Sequence, residues 1–312
     1  MKIVVFGAGG VGGYFGGRLA QAGLDVTFIA RGEHLRAMQR DGLRVESIGG
    51  DFSVRPVQAS DDAASVGLAD AVLVCVKAWQ VPAAAQAMLP LIGAETAVVY
   101  LGNGIDAPRQ LAETLGSGPI LGGLCRISAF LAAPGLVRHV GIEPAVVIGE
   151  LDNRPSQRCE RLLQAFQHAG VKAEIPPDIH VAIWQKFLFI AAVSGVGALT
   201  RAPLGVIRSL PETRQLLAAA LGEIEAVGRA CGIALPPEAA ARTLAMIDRL
   251  PGDILPSMQR DIELGRPSEL DAQVGTVVSL GQDVNIPTPV NALIYAALLP
   301  QELAARGITA AG

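Results

Sequence analysis

Near its start the chain reads Lys2-Ile3-Val4-Val5-Phe6 and then Gly7-Ala8-Gly9-Gly10-Val11-Gly12-Gly13. Five residues of strand character run into G-x-G-x-x-G. A helical pattern follows, Tyr14, Phe15, Leu19, Ala20 and Ala22, closed by Gly23. In the order strand, glycine turn, helix, this motif means dinucleotide binding. Gly7 permits the tight turn, Gly9 lets the backbone approach a pyrophosphate, and Gly12 lets helix and strand pack closely. Ala8, Gly10 and Val11 complete the loop. The helix N-terminus then offers free N–H groups and a positive dipole end to the phosphates. The alternative is a glycine-rich turn in a buried α/β unit that holds nothing. The clean strand directly before Gly7 favours the nucleotide.

A chain of 312 residues accommodates two domains. With 51% hydrophobic and 17% charged residues it has the apolar material for large cores. A formal net charge of −4 argues against a nucleic-acid partner or an acidic membrane surface, which call for a basic face. Cys75, Cys125, Cys159 and Cys231 are scattered, none paired at metal-ligand spacing, as in a reduced, cytoplasmic protein without a metal. Lys2 and the apolar residues after it resemble a signal peptide only briefly. Five glycines within Gly7–Gly13 break the run and no cleavage pattern follows. The longest apolar stretch, Phe187–Leu199, is 13 residues and contains Ser194, which suits a buried core helix rather than a membrane span.

Strand and helix signals alternate through the first half. Asp25–Ile29 reads as a second strand and Glu33–Arg40 as a short amphipathic helix. Leu43–Ile48 and Phe52–Val57 flank Gly49-Gly50 as a hairpin. Ala71–Val76 and Ala97–Leu101 are continuous apolar runs, the mark of buried parallel strands. Gln80–Ile92 and residues 106–115 read as helices. Ile120–Ile148 reads as short antiparallel strands punctuated by Gly and Pro, followed by a helix over Pro155–Ala169 and a strand over Val171–Ile175. Pro176-Pro177-Asp178 breaks this pattern. Beyond it only helices are predicted: Ile179–Leu199, Glu212–Cys231, Glu238–Leu250, Ser257–Leu264, Glu269–Gln282 and Pro289–Leu303. The expected architecture is α/β: a Rossmann-type parallel-sheet domain over 1–175 that binds the cofactor, and an all-helical substrate domain over 176–312. A cleft between such domains is where substrates usually sit. The apolar helices of the second domain suit a homodimer as well as a monomer.

Several residues could carry chemistry. The second strand ends at Ala30-Arg31, where an NAD enzyme would place an acid for the ribose hydroxyl. A guanidinium there pairs instead with a 2′-phosphate, which favours NADP over NAD; a solvated surface arginine is the alternative. Lys77 and Asn103 follow the carboxyl ends of two buried strands, the ligand edge of an open parallel sheet. A helix-flanking lysine and a turn asparagine explain them equally well. Lys186 sits among Ile183, Phe187, Phe189 and Ile190. It either snorkels out or serves a site, and a partly desolvated lysine makes a usable general acid near neutral pH. Ser257 follows Pro256 and suits an N-cap. Ser268-Glu269-Leu270-Asp271 has capping-box spacing, with Glu269 in the first helical turn. His139 lies on a short β segment and reads as structural.

Taken together, these residues resemble the ketopantoate reductase family over nearly the whole chain. The resemblance rests on Gly7–Gly13, Arg31, Val74-Cys75-Val76-Lys77-Ala78-Trp79-Gln80, Asn103-Gly104, Val137-Arg138-His139 and Trp184-Gln185-Lys186. It continues through Pro256-Ser257-Met258, Asp261-Ile262 and Ser268-Glu269-Leu270-Asp271. It implies NADPH-dependent reduction of 2-dehydropantoate to (R)-pantoate, on the way to pantothenate and coenzyme A. It implies Lys186 as general acid and Glu269 as the carboxylate that orients that lysine and the substrate. Asn103 and Ser257 would bind substrate, with Ile190 and Ser194 at further substrate positions, Arg31 the 2′-phosphate, and Lys77 and Asn103 the cofactor. Family members usually carry asparagines one and two turns after the lysine; here these positions are Ile190 and Ser194. At i, i+4 and i+8 the three should share one face. Two other expectations therefore stand beside the first: a related reductase of a less polar 2-keto acid, and an NADP-binding redox sensor without turnover.

Overall fold

Ile3 and Val5 lie in one buried cluster and Val4 and Phe6 in another, so the first strand is covered on both faces. That is why it carries no polar residue between Ile3 and Phe6. The computed structural model describes residues 1–308; residues 309–312, counted above in the second domain, lie outside the described residues. The strands are β1 (Lys2–Phe6), β2 (Asp25–Ile29), β3 (Leu43–Ser47), β4 (Phe52–Val54), β5 (Gln58–Ser60), β6 (Ala71–Val74), β7 (Ala97–Tyr100), β8 (Ile120–Ala133), β9 (Leu136–Glu150) and β10 (Lys172–Glu174). The helices are α1 (Gly10–Gln21), α2 (Gly32–Asp41), α3 (Val81–Met88), α4 (Ala107–Leu115), α5 (Gln157–His168), α6 (Ile179–Thr200), α7 (Leu204–Ser209), α8 (Pro211–Ala230), α9 (Ala239–Ile247), α10 (Ser257–Glu263), α11 (Thr276–Asp283) and α12 (Pro289–Ala305).

The strands form one sheet in the order β4-β3-β9-β8-β7-β6-β1-β2-β5, with β10 beside β9. From β8 across to β5 every pairing is parallel. Alternate residues supply the two faces. Ala71, Leu73 and Val99 face the cluster that holds Phe15, Met38 and Phe166, from α1, α2 and α5. Val72, Val74 and Tyr100 face the cluster under α3 and α4, with Met88 and Leu111. This is a doubly wound, Rossmann-type sheet. From α6 onward the chain is helical and builds a core of its own around Leu188, Leu221 and Ile294.

Contacts divide the chain into two compact units, one of Met1–Gly102 with Ala107–His180, the other of Asn103–Asp106 with Val181 onward. The break falls in the first turn of α6, a few residues after 175. The segment Asn103–Asp106 goes with the helices because Ile105 packs on their core. Periodicity says nothing about four residues of loop.

Several elements differ from their sequence reading. β4 stops at Val54 because Pro56 has no N–H for the ladder, and Gln58–Ser60 joins the opposite edge beside β2. Residues 120–150 make two long antiparallel strands rather than several short ones. Register shifts at Arg126/Ser128 and Leu131/Ala133 absorb the irregular stretches. The helix expected over Gln80–Ile92 ends at Met88 and tightens to a 3₁₀ turn over Leu89–Leu91, since Pro90 cannot donate to the α-helical ladder. The short helix α7 had no periodicity to reveal it. The helix expected from Glu269 begins instead as a π-helical turn, Asp271–Gly275, ahead of α11.

By length and composition α6 could cross a membrane, with a mean hydropathy of 1.6, but 61% of its most apolar window is buried inside the protein. It is the core helix of the second unit.

Candidate active site

The order of the sheet places the strand switch between β1 and β6. From β1 the chain moves to β2; β6, β7 and β8 lie on the other side. Ligands of open α/β sheets bind beyond the carboxyl ends of strands at such a switch. The glycine turn leaves β1 at this edge, where the Gly7 N–H donates to the Ile29 carbonyl at 3.0 Å. Gly7 has φ +100°, a left-handed backbone that glycine adopts without strain. A Cβ on Gly12 would stand 2.0 Å from the Gly7 carbonyl oxygen and 2.9 Å from Val5, so only glycine lets α1 approach β1. A Cβ on Gly9, in contrast, would have no atom within 4 Å. The turn is therefore packed on its inner side and open at Gly9. Gly9 is also the N-cap of α1, and no side chain caps its first N–H groups. This arrangement fits a dinucleotide pyrophosphate: unclaimed donors, a positive helix end and room for the phosphates.

Arg31 lies at the carboxyl end of β2, exposed, as N-cap residue of α2. Lys77 follows β6, half-buried, with its ammonium 5.9 Å from the centre of the Trp79 ring. Cys75 lies under the turn, where burial pushes its thiol well up, and burial raises that of Cys159 as well. Both are neutral thiols at neutral pH, which leaves them poor redox sensors. His139 is buried, with Nδ1 2.8 Å from the Ser47 hydroxyl, Nε2 2.8 Å from the Ile142 carbonyl, and its ring against Tyr14. It ties β9 to β3 and to α1.

In the helical unit the carboxylate of Glu269 is 3% exposed. Its Oε2 accepts from Asn103 Nδ2 at 3.1 Å and from Gln273 Nε2 at 3.4 Å. Asn103 and Glu269, 166 positions apart, thus stand together. The capping box expected at Ser268 is not formed. The Ser268 hydroxyl instead accepts from Leu270 N–H at 3.2 Å and donates to Glu302. The Ser268 N–H donates to both carboxylate oxygens of the buried Glu302 at 3.0 Å, and Arg306 Nε donates to the same carboxylate at 2.6 Å. This network pins the residue just before Glu269. The π-helical turn follows just after it, closed by Gly275 N–H to the Leu270 carbonyl at 2.9 Å. Such turns occur often at functional sites, because the extra residue re-aims neighbouring side chains.

Lys186 and Ile190 are half-buried on α6, one turn apart. Ile190 is not among the residues of the helical core cluster. Ser194, a further turn along, is fully buried, and its hydroxyl has no hydrogen-bond partner among the described residues. Ser257 is half-buried and is the first residue of α10; the N-cap is Pro256. Nothing in the local sequence sets Glu302 or His34 apart. A glutamine four positions after Glu269 was the one readable hint, since i and i+4 meet on a helix.

The family described as ketopantoate reductase PanE/ApbA matches residues 3–153, and its C-terminal counterpart matches residues 178–302. The chain belongs to the ketopantoate reductase family. A 2-dehydropantoate 2-reductase of Mesorhizobium japonicum is 33% identical over 310 residues, covering 93% of this chain and 94% of that protein. A solved PanE/ApbA family ketopantoate reductase from Ralstonia eutropha is 32% identical with a TM-score of 0.89, covering 98% of this chain and all of that one. A ternary structure of D-mandelate dehydrogenase with NADH and anilino(oxo)acetate reaches a TM-score of 0.90 at 23% identity over 99% of this chain and all of that one, a likeness of fold alone. This ketopantoate reductase family member is an NADP(H)-dependent oxidoreductase.

Proposed function

We propose that the protein reduces 2-dehydropantoate to (R)-pantoate with NADPH. The observation that carries this reading is the Asn103–Glu269 pair: a buried carboxylate held by an amide from a distant loop, on a turn pinned by Glu302. Such a carboxylate is a fixed partner for a cation and a hydroxyl. Lys186 is the donor in this reading. Hydride addition to a ketone develops negative charge on the carbonyl oxygen. An ammonium aimed there stabilises that charge and supplies the proton. Glu269 orients the ammonium; Asn103 and Ser257 hold substrate oxygens. Gly7 to Gly12 and Lys77 would hold the dinucleotide, and Arg31 its 2′-phosphate. When bound, the reduced nicotinamide supplies the hydride. The balance is keto acid, NADPH and one proton to hydroxy acid and NADP⁺. NADPH oxidation measured against a panel of 2-keto acids tests the reading. Turnover on every keto acid except 2-dehydropantoate would overturn the substrate and keep the reaction class.

Arg31→Ala should raise the KM for NADPH about tenfold and leave that for NADH nearly unchanged. This is the low end for a charge-assisted hydrogen bond, because the guanidinium is exposed. Initial rates with both cofactors check it, and equal KM values in the unmutated protein would contradict it.

A second reading, a less polar 2-keto acid, is favoured by Ile190, half-buried one turn from Lys186 and outside the core cluster. Isoleucine cannot hydrogen-bond a substrate oxygen, a loss of about 0.5–1.5 kcal/mol for a neutral partner. Ile190→Asn should raise kcat/KM on 2-dehydropantoate by up to about tenfold. A lowered melting temperature with no gain on any keto acid would mean that the amide is buried unsatisfied and that the substrate is set elsewhere.

A further inference from the structure

We propose that His34 is a positioning residue for the dinucleotide: from α2 it holds the Ala8 carbonyl, and so the Gly7–Gly12 turn, in the shape that receives the pyrophosphate. This rests on the reading of that turn as the cofactor site. The imidazole Nε2 lies 2.7 Å from the Ala8 carbonyl oxygen, and the Gly135 N–H donates to Nδ1 at 2.9 Å. The two bonds assign the tautomer. Nδ1 accepts and carries no proton, so Nε2–H is the donor to Ala8 and the ring is neutral.

The outer anchor is rigid. Gly135 is the turn residue between β8 and β9, and its carbonyl accepts from Arg44 N–H at 2.9 Å. With φ +76° it lies so close over α2 that a Cβ there would be 3.2 Å from that of Ala37. At the inner end the Ala8 methyl packs in the core, while its carbonyl meets the ring. Ala8 stands between two glycines, whose backbones restrain it little. The His34 bond therefore adds a restraint on the Ala8–Gly9 peptide from outside the turn.

Among the described residues, no charged group is bonded to the ring. Residues 7–13 are Gly, Ala and Val, and the hairpin turn is Pro134-Gly135, so neither segment titrates. On α2, Glu33 and Arg36 pair with each other in solvent and Arg31 is exposed. On β3, Arg44 pairs with Glu46. Burial lowers the His34 pKa, and the bond to Ala8 opposes that shift. Protonation would put an Nδ1–H against the Gly135 N–H, two donors face to face, and free the ring from its anchor. Cofactor affinity should be fully present while His34 is neutral. It should fall as the pH drops through the His34 pKa, below the ordinary value of ~6.5.

The test is equilibrium titration of the full chain with NADPH, followed by fluorescence between about pH 5.5 and 8. His34→Ala should weaken binding about tenfold at neutral pH with kcat at saturating NADPH within about twofold. His34→Gln offers an amide donor and acceptor at the spacing of the ring nitrogens. It should recover most of the affinity and lose the additional acid-side decline. The 2′-phosphate titrates alike in all three proteins, so the difference between profiles belongs to His34. If His34→Ala binds NADPH as the unmutated protein does, with the same pH profile, the proposal is overturned while the cofactor turn stands. If the unmutated protein binds no NADPH, the reading of the turn itself fails. Should His34→Ala not fold, His34→Gln decides: an unchanged acid-side decline in that variant also overturns the proposal.

Discussion

Lys186→Ala should lower turnover by roughly 10²–10⁴-fold, the range expected for loss of the proposed general acid, while NADPH still binds. The lysine is half-buried on a helix whose neighbours are Phe187 and Leu188, both in the core. A lysine that only snorkelled would give up its hydrophobic stem on truncation and nothing in rate. A donor to the developing alkoxide gives up rate without cofactor affinity, because the proton is needed only in the transition state. The measurement is a pair: kcat with saturating keto acid and Kd for NADPH by titration. A variant with near-normal kcat would assign Lys186 to packing. Glu269→Gln should show the same separation, since an amide oxygen still accepts from Asn103 but lacks the charge that, in the proposed reading, orients the ammonium.

The second large effect is a contrast within one turn. Gly12→Ala should destabilise the first unit by roughly 1–3 kcal/mol, a drop of several degrees in melting temperature, and NADPH binding should go with it. Its Cβ would meet the Gly7 carbonyl at 2.0 Å, a backbone atom that cannot swing away. Gly9→Ala should leave the melting temperature of the free protein within about a degree, because its Cβ meets nothing within 4 Å. Yet it should weaken NADPH roughly 10- to 100-fold, since in the proposed reading that open space receives the pyrophosphate. Calorimetry and a titration separate the two variants. A Gly9→Ala protein that binds NADPH normally would remove this turn from the cofactor site, whatever Gly12 did.

The first half of the fold was legible because buried parallel strands declare themselves locally. Ile3–Phe6, Ala71–Val74 and Ala97–Tyr100 are apolar without interruption, since both faces are covered. The glycine turn was legible for a related reason: Gly7 takes a left-handed backbone and Gly12 a close approach to the Gly7 carbonyl, demands that no other residue meets. Where hydrogen bonding rather than burial sets the element, local reading failed. The division of 120–150 into two long strands depends on cross-strand pairing of Leu121 with Glu150 and Leu131 with Val137, and on register shifts between them. A window of sequence contains neither partner.

By itself, then, the sequence determined the alternation of the first half, the helical run of the second, the glycine turn after β1 and the residue types present, all properties of short stretches. Only the tertiary structure decided which of those residues act on one another. Asn103 and Glu269 are far apart in sequence, and their hydrogen bond exists because Ile105 carries the loop onto the helical core. Glu302 reaches Ser268 from the last helix, and Gln273 shares the oxygen that Asn103 holds. His34 looks like any half-polar residue of an amphipathic helix until β9 brings Gly135 beside it. The physical reason is the same in each case. A hydrogen bond depends on distance and direction between two groups, and the chain between them sets neither until it has packed.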